Sequence, residues 1–266
     1  MLSIQKRFTN SFFALLSLPA TAMGFALSVQ ISALSWILST KYGLAIHEVG
    51  LVWAAGPIAG IFGQVIIGLI SDKVWFWNGR RRPFILIGGA LAGLMFLGLP
   101  NIDVISKALG MDGILGVAIL VALTLDLAIN VSFNPTRSII ADVTPPGEKR
   151  TKGYTWMQTV SGTISVGAYV IGAVWNNYVL IYAGAVLVFL LSFIPPFFIE
   201  EPRELEDAAD QTQTAPAKMS FADIMISILP LWGFLVYAVY GIIAKLAGWP
   251  TANGLVVGLC ALIAVV

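Results

Sequence analysis

Acidic, amide and basic side chains stand inside an apolar stretch in the middle of the chain. In the segment LDLAINVSFNPTRSIIAD, residues 125–142, they include Asp126, Asn130 and Arg137. At about 100° per residue, Asn130 lies about 40° and Arg137 about 20° round a helix from Asp126, so a regular helix puts all three on one face. A carboxyl group whose exposure to water changes can take up and release a proton, because burial disfavours its charged form. The spacing therefore predicts a polar face on which the Asp126 carboxyl group could take up and release a proton.

Each of these three residues also has a structural interpretation. Asp126 could pair with a cation on another helix, and Asn130 could bond to a neighbouring helix instead of a solute hydroxyl group. Arg137 could be a partner of the acidic site or an anchor at the membrane interface. At the end of the stretch, Asp142 is expected to join a charge network with a basic cluster, which consists of Lys149, Arg150 and Lys152.

A second group of charged residues lies between two earlier apolar runs. The segment GLISDKVWFWNGRRRPF, residues 68–84, places Asp72 before three consecutive arginines and a proline. Such a cluster can simply anchor a membrane helix, and a proline commonly opens one. A carboxylate at a helix end can also bond arginines and helix N-termini, which would hold one arrangement of a helical bundle. The sequence is compatible with an anchor and with a latch.

Composition excludes several other kinds of site. The chain is 58% hydrophobic and 11% charged, whereas ordinary soluble domains have roughly 45–50% apolar residues. Its single cysteine, Cys260, and single histidine, His47, leave no disulfide framework, no cysteine or histidine metal cluster and no base beside a candidate serine nucleophile. The net charge of +1 gives no field that would attract nucleic acid. We predict a membrane protein that is not an enzyme and that has no cofactor, metal or nucleic-acid partner.

Apolar runs long enough to cross a bilayer recur along the chain. A hydrocarbon core of about 30 Å needs roughly 20 helical residues, and the runs lack the alternating pattern of a membrane barrel. The acidic, proline-containing segment 200–220 reads as an aqueous linker. We therefore predict an all-α membrane protein with a six-helix bundle in 1–199, a cytoplasmic linker in 200–220 and the start of a second bundle in 221–266. The seven predicted spans are 12–38, 49–70, 83–99, 113–133, 154–174, 178–199 and 224–246.

The distribution of basic residues predicts the orientation, because cytoplasmic loops collect lysine and arginine. With the N-terminus inside, 12 of the 15 basic residues are cytoplasmic and three are outside. The first run could instead be a secretory signal, but it continues to residue 38, which is longer than a signal core. We predict a multi-pass protein of the cell membrane with a cytoplasmic N-terminus.

Several motifs together resemble a known family. G-x-x-S-D-K followed by GRRRPFI, in 68–85, is similar to the loop between the second and third helices of the major facilitator superfamily. The long spacing between Asp72 and Gly79 resembles that in the sucrose–proton symporters and the glycoside-pentoside-hexuronide group. The motifs GFAL at 24–27, GP at 56–57 and L-D-x-A-x-N at 125–130 are similar to that group as well. The resemblance covers roughly residues 20–175. It assigns a conformational latch motif to Gly68, Asp72, Gly79, Arg80, Arg81 and Arg82.

The resemblance implies an activity as well as a fold. Asp126 would be the proton-coupling and sugar-binding group, with Asn130 and Arg137 beside it, in a symporter for sucrose or another glycoside. Sodium coupling and export of another metabolite on the same fold are alternatives, as is a structural or interaction fragment that does not transport. The expected ligands are a sugar and a proton or sodium ion, within a lipid bilayer.

Six helices and a linker make half of the twelve-helix plan of that superfamily, whose substrate site lies between two halves. After the seventh run, about thirteen residues are left for an eighth, too few to cross a bilayer. We therefore expect a truncated chain, a fragment, or a half-transporter that assembles with a second copy or a separate second half.

Overall fold

The computed structural model describes residues 7–54, 56–57, 59–60, 63–64, 67, 70–71, 74–111, 113–202 and 240. The chain divides into two compact units, Met1–Leu205 and Glu206–Val266, and every element described below belongs to the first. The predicted linker and the predicted start of a second bundle fall almost wholly outside the described residues, so those boundaries stay predictions.

The first unit is helical throughout its described part. A 3₁₀ turn at Leu99–Asn101 joins two of its helices, and the described residues between 56 and 71 are also helical. The helices are α1 Asn10–Thr40, α2 Ile46–Trp53, α3 Arg82–Gly98, α4 Ile102–Leu109, α5 Ile114–Val143, α6 Glu148–Val174 and α7 Asn177–Phe198.

Five helical segments are long and apolar enough to cross a membrane. They confirm the first, third, fourth, fifth and sixth predicted spans, whereas the second is described only in part and the seventh lies outside the described residues except for Tyr240. The five segments are Asn10–Thr40, Arg82–Leu109, Ile114–Val143, Glu148–Val174 and Asn177–Phe198.

Polar caps and backbone conformations fix where these helices begin and end. Thr9 caps α1 by accepting from the Phe12 N–H, and Asn176 caps α7 by accepting from the Val179 N–H at 2.8 Å. Helix α4 ends at Gly110, whose φ of 64° is the left-handed conformation that closes many helices. Helix α5 continues without interruption through Pro135.

Helix α1 forms the centre of the unit and packs against α5, α6 and α7, while α3 packs between α5 and α7. Lipid is as apolar as the side chains, so helix association in a membrane depends on close packing and small residues. A Cβ at Gly88 would lie 2.1 Å from Ser132 Oγ on α5, and one at Gly89 would lie 2.1 Å from Ser192 Cβ on α7. Two adjacent glycines thus let α3 approach both neighbours.

The bundle has two ends, which we name after their residues. At the arginine end, Arg80, Arg81 and Arg82 lie at the start of α3, near the end of α5. At the tyrosine end, the Tyr42 hydroxyl accepts from Ile102 N and donates to Leu99 O, which ties the loop after α1 to the end of α3. Helices α1, α3 and α6 run toward the tyrosine end, and α5 and α7 run back.

Candidate functional site

The carboxylate of Asp126 lies inside the bundle, with 8% of the residue exposed. Its Oδ1 atom accepts a hydrogen bond of 2.9 Å from Nε2 of Gln30 on α1, a residue that is 1% exposed. No lysine or arginine lies within 4.0 Å of this carboxylate among the described residues. The described part of the chain therefore supplies an amide donor to Asp126 and no counter-ion.

A glycine allows the second carboxylate oxygen to approach a neighbouring backbone. A Cβ built on Gly56 would lie 3.2 Å from Asp126 Oδ2. That spacing is shorter than ordinary van der Waals contact, so a larger residue at position 56 would push against the carboxylate. In the sequence, Gly56 was noted as part of a GP motif that resembles the family. The structure shows that this glycine lies against the Asp126 carboxylate.

Asn130 follows Asp126 by one helical turn and bonds to protein groups on both sides. Its Nδ2 atom donates to the Asp126 carbonyl oxygen at 2.8 Å, and its Oδ1 atom accepts from Gln64 Nε2 at 2.6 Å. Asn134, another turn along, donates to the Gln64 carbonyl oxygen at 3.1 Å. In this conformation Asn130 joins two helices, as the structural interpretation expected.

Arg137 lies apart from these two residues. Eleven residues of α5 separate it from Asp126, which is about 16 Å at 1.5 Å per residue. Its guanidinium lies 4.1 Å from the centre of the Phe133 ring. The structure thus brings Asp126 and Asn130 together and leaves Arg137 nearer the arginine end, although the helical angle alone places all three on one face.

A small cavity adjoins Arg137 between α1, α5 and α6. Its volume is about 90 Å³, and Gly24, Gln158 and Ser161 contribute to its wall. This is room for several water molecules, which need roughly 10–15 Å³ of such space each. Gln158 thus shares a cavity with Arg137.

Arg80 and Arg81 meet Asp142 at the end of α5. Arg80 Nη2 lies 3.0 Å and Arg81 Nε lies 3.1 Å from Asp142 Oδ2, and 8% of the aspartate side chain is exposed. Arg81 also donates to Ser71 Oγ at 2.7 Å. Two further members of the predicted latch, Gly68 and Asp72, lie outside the described residues.

The basic residues that follow Asp142 contact backbone carbonyl oxygens and aromatic rings. Arg150 donates to the carbonyl oxygens of Ala141 and Thr144 at the C-terminus of α5. A positive charge is favourable there, because the C-terminal end of a helix dipole is negative. Lys149 lies 4.7 Å from the centre of the Phe8 ring, and Lys152 lies 5.6 Å from that of Phe13. Asp142 pairs with the two arginines before α3, and a network with the 149–152 cluster stays a prediction.

Glu201 is a site residue that the sequence analysis missed. Its carboxylate accepts from the backbone N–H groups of Arg80, Arg81 and Arg82, at 2.7, 2.8 and 2.7 Å. These N–H groups lie at the N-terminus of α3, where the helix itself offers them no acceptor and a negative charge is favourable. A Cβ on Gly79 would lie 2.7 Å from Glu201 Oε1, so Gly79 leaves room for the carboxylate. The signal in the sequence was an acidic pair directly after the sixth span.

Comparison with known proteins agrees with this architecture. Residues 16–266 match the Major Facilitator Superfamily. The chain belongs to the major facilitator superfamily. It is therefore a multi-pass membrane protein of a family of transporters, which confirms the predicted fold class and the predicted family.

Three similar proteins have names that refer to the transport of sugars or glucosides. A sucrose transport protein of Arabidopsis thaliana, SUC4, is 30% identical over 139 residues, which cover 50% of this chain and 27% of the relative. The general alpha-glucoside permease of Schizosaccharomyces pombe is 29% identical over 174 residues, 59% of this chain and 31% of the relative. The sucrose transport protein SUT5 of Oryza sativa subsp. indica is 42% identical over 83 residues, 31% of this chain and 15% of the relative. The matched segments thus span less than a third of each of these relatives.

Proposed function

We propose that this chain forms part of a secondary active transporter that moves a sugar or glycoside together with a proton. The superfamily supports the transporter class, and the sucrose and alpha-glucoside names of three relatives support the substrate class. The observation that carries the proton assignment is the buried Asp126 carboxylate, which meets an amide and no cation among the described residues.

The amide of Gln30 suits a carboxyl group that changes its protonation state. Its NH₂ group donates to the ionised carboxylate, and its oxygen can accept from the protonated acid once the amide has turned over. A lysine or arginine in the same place would favour the charged form alone. We propose that Gln30 positions Asp126 in both states.

Sodium coupling is the nearest rival, because a carboxylate can bind either cation. A sodium ion is held by several oxygen ligands, as hard cations generally are. Among the described residues, however, Oδ1 of Asp126 faces the Gln30 donor and Oδ2 faces Gly56. This arrangement favours the proton.

We propose that Arg137, Gln158 and Ser161 contact sugar hydroxyl groups or water on the way to the arginine end. The cavity beside Arg137 supports this role, since Arg137 lies on the same helix as Asp126, about 16 Å further along. Asn130 stays in the proposed site through its bond to the Asp126 carbonyl oxygen, and its contact with Gln64 would have to open for it to reach a sugar.

Helix α6 presents a face that the described residues do not cover. Of its 27 residues, Gly153, Met157 and Ala168 are buried, while Thr159, Thr163 and Val166 are exposed. We propose that a second half, from another copy or another chain, packs against α6 and supplies the opposite wall of the sugar site.

Oxidative cross-linking of Val166→Cys chains in a Cys260→Ser background would give dimers if the partner is a second copy.

At the arginine end, we propose that Asp142 and Glu201 hold the loop before α3 against α5 and α7, as the carboxylates of the latch. The charge distribution supports a cytoplasmic position for this end and for the N-terminus, in the cell membrane.

The test is uptake into vesicles that contain the chain and its second half. With an inward proton gradient we expect labelled sucrose or maltose to accumulate, and with an inward sodium gradient alone we expect none. Accumulation driven by sodium alone would replace the proton assignment, and no accumulation of either sugar under any gradient would contradict the proposed function.

A further inference from the structure

A depression in the surface at the arginine end combines a cation with aromatic and apolar walls. It has a volume of about 510 Å³ and is lined by Trp77, Asn78, Arg82, Leu86 and Phe197. Small-molecule sites generally occupy about 300–1,000 Å³, so the depression is large enough for a polar headgroup. It lies between α3 and α7, and none of its lining residues belongs to the proposed sugar site.

Arg82 differs from the two arginines before it. Its guanidinium lies 5.2 Å from the centre of the Phe197 ring, and no carboxylate of the described residues pairs with it. Arg80 and Arg81 instead share the Asp142 carboxylate, and the Glu201 carboxylate accepts from backbone N–H groups. The depression therefore contains a guanidinium that forms no ion pair with a described carboxylate, and an anionic group would complement it.

An apolar groove continues from the depression along the same pair of helices. It has a volume of about 420 Å³, and Ala90, Gly93 and Leu94 of α3 face Phe189 and Leu190 of α7 across it. Ala90 follows Leu86 by one turn on the same face of α3, so the two hollows share one seam. The groove begins about 12 Å from Arg82, within the 15 Å or so of half a hydrocarbon core.

Two further features place this seam against lipid. Trp77, 63% exposed, lies beside the depression, and tryptophan is enriched where the hydrocarbon core meets the headgroups. Leu94 and Val186, on the rim of the groove, are 57% and 58% exposed in a chain that spans the membrane. Acyl chains of the bilayer are the apolar molecules that reach such a surface.

We propose that the seam between α3 and α7 binds one anionic phospholipid, with its phosphate at Arg82 and an acyl chain in the groove that starts at Ala90. The phosphate oxygens accept from the Arg82 guanidinium, and Trp77 lies at the glycerol level. The acyl chain takes the place of bulk lipid in the apolar groove. The site is separate from the proposed sugar path, so it does not depend on which substrate is carried.

The test uses the full 266-residue chain, purified in detergent, and lipids with identical acyl chains. Phosphatidylglycerol and phosphatidylcholine are added in turn, and native mass spectrometry counts the lipid retained per chain. We expect one phosphatidylglycerol to be retained about fivefold more strongly than phosphatidylcholine, the ratio that corresponds to roughly 1 kcal/mol for one basic residue near an anionic surface. Equal retention of the two lipids would overturn the proposal.

Two variants and two matched controls locate the site. Arg82→Gln should lower phosphatidylglycerol retention to the level of phosphatidylcholine, and Ala90→Phe, which fills the groove, should lower retention of both. Lys149→Gln removes another cation that lies over an aromatic ring, and Ala183→Phe adds the same bulk on α7 outside the groove lining, so neither should change retention. If Arg82→Gln does not fold, Ala90→Phe still tests the site, and full retention by either variant would overturn it.

Competition separates a lipid from its parts and from other occupants. Glycerol phosphate without acyl chains should not displace phosphatidylglycerol at equal concentration. Displacement would mean that the depression recognises phosphate alone. A change from dimer to monomer in Ala90→Phe, without any change in lipid retention, would mean that a second copy of the chain occupies the groove.

Discussion

Gln30 on α1 donates a 2.9 Å hydrogen bond to Asp126 on α5, and the two residues are 96 positions apart in the chain. Both are buried, and no cation shares the carboxylate within the described part of the bundle. A hydrogen bond to a charged group contributes about 1.5–3 kcal/mol, against about 0.5–1.5 for a neutral pair. This bond therefore links the helix that carries the proposed coupling residue to the centre of the bundle.

We expect the two side chains to be energetically coupled. In a double-mutant cycle, Gln30→Leu should lower the free energy of unfolding by about 1–3 kcal/mol in the wild-type chain, because a buried carboxylate loses its donor. In an Asp126→Leu background the same change should cost much less, since no carboxylate remains. Unfolding in detergent, followed by tryptophan fluorescence, gives the four values, and a coupling energy near zero would contradict the interaction.

The ion pairs of Asp142 and Asp103 differ in burial and should differ in strength. Asp142→Asn leaves Arg80 and Arg81 without their carboxylate in a partly buried place, which costs about 3–5 kcal/mol. Asp103→Asn is the matched control, because its pair with Lys41 is exposed, with side-chain exposures of 44% and 34%, and exposed pairs contribute little to stability. Similar stability losses in both variants would show that Asp142 is not a buried partner.

Long apolar runs made the helical spans predictable from the sequence. A run of about 20 apolar residues in lipid must satisfy its backbone hydrogen bonds internally, which a helix does. Five of the predicted spans are confirmed as helices long enough to cross the membrane. Asp126 could also be placed inside the bundle, because a charge facing lipid costs roughly 2.5–3.5 kcal/mol on insertion scales.

Partners that meet across helices could not be predicted in the same way. The helical angle puts Arg137 on the face of Asp126, but the rise of the helix separates them by about 16 Å. Gln30 could not be recognised from the sequence as the partner of Asp126, because only the packing of α1 against α5 brings the two side chains together. Glu201 was read as part of an acidic linker, because nothing local relates it to the N–H groups about 120 residues earlier.

Glu201 should stabilise the start of α3. Glu201→Ala removes the acceptor of three N–H groups, and we expect the free energy of unfolding to fall by about 1–3 kcal/mol. Glu48→Ala is the control, because Glu48 accepts from a single exposed N–H group at the start of α2. Gly79→Ala should destabilise in the same direction as Glu201→Ala, since its Cβ would displace the carboxylate, and a neutral result in both would remove Glu201 from the latch.

The two ends of the bundle should be reachable from opposite sides of the membrane. In a Cys260→Ser background, Trp75→Cys, at the arginine end, should react with an impermeant maleimide only after the cytoplasmic side is opened. Ile46→Cys, at a position 91% exposed near the tyrosine end, should react from outside. The reverse pattern would invert the orientation inferred from the basic residues.

Asp126→Asn separates the proton-binding role of Asp126 from a structural one. The amide is nearly isosteric with the acid and carries no charge to be buried, so we expect the chain to fold and reach the membrane in normal amounts. In vesicles with the second half present, accumulation of sugar in response to a proton gradient should be lost, because position 126 can no longer take up and release a proton. Downhill exchange should continue, since exchange does not require the proton to leave.

Loss of the protein itself would point to a structural ion pair, whose disruption strands a buried cation and costs about 3–5 kcal/mol. A well-expressed variant that still accumulates sugar in response to the proton gradient would exclude Asp126 as the coupling group.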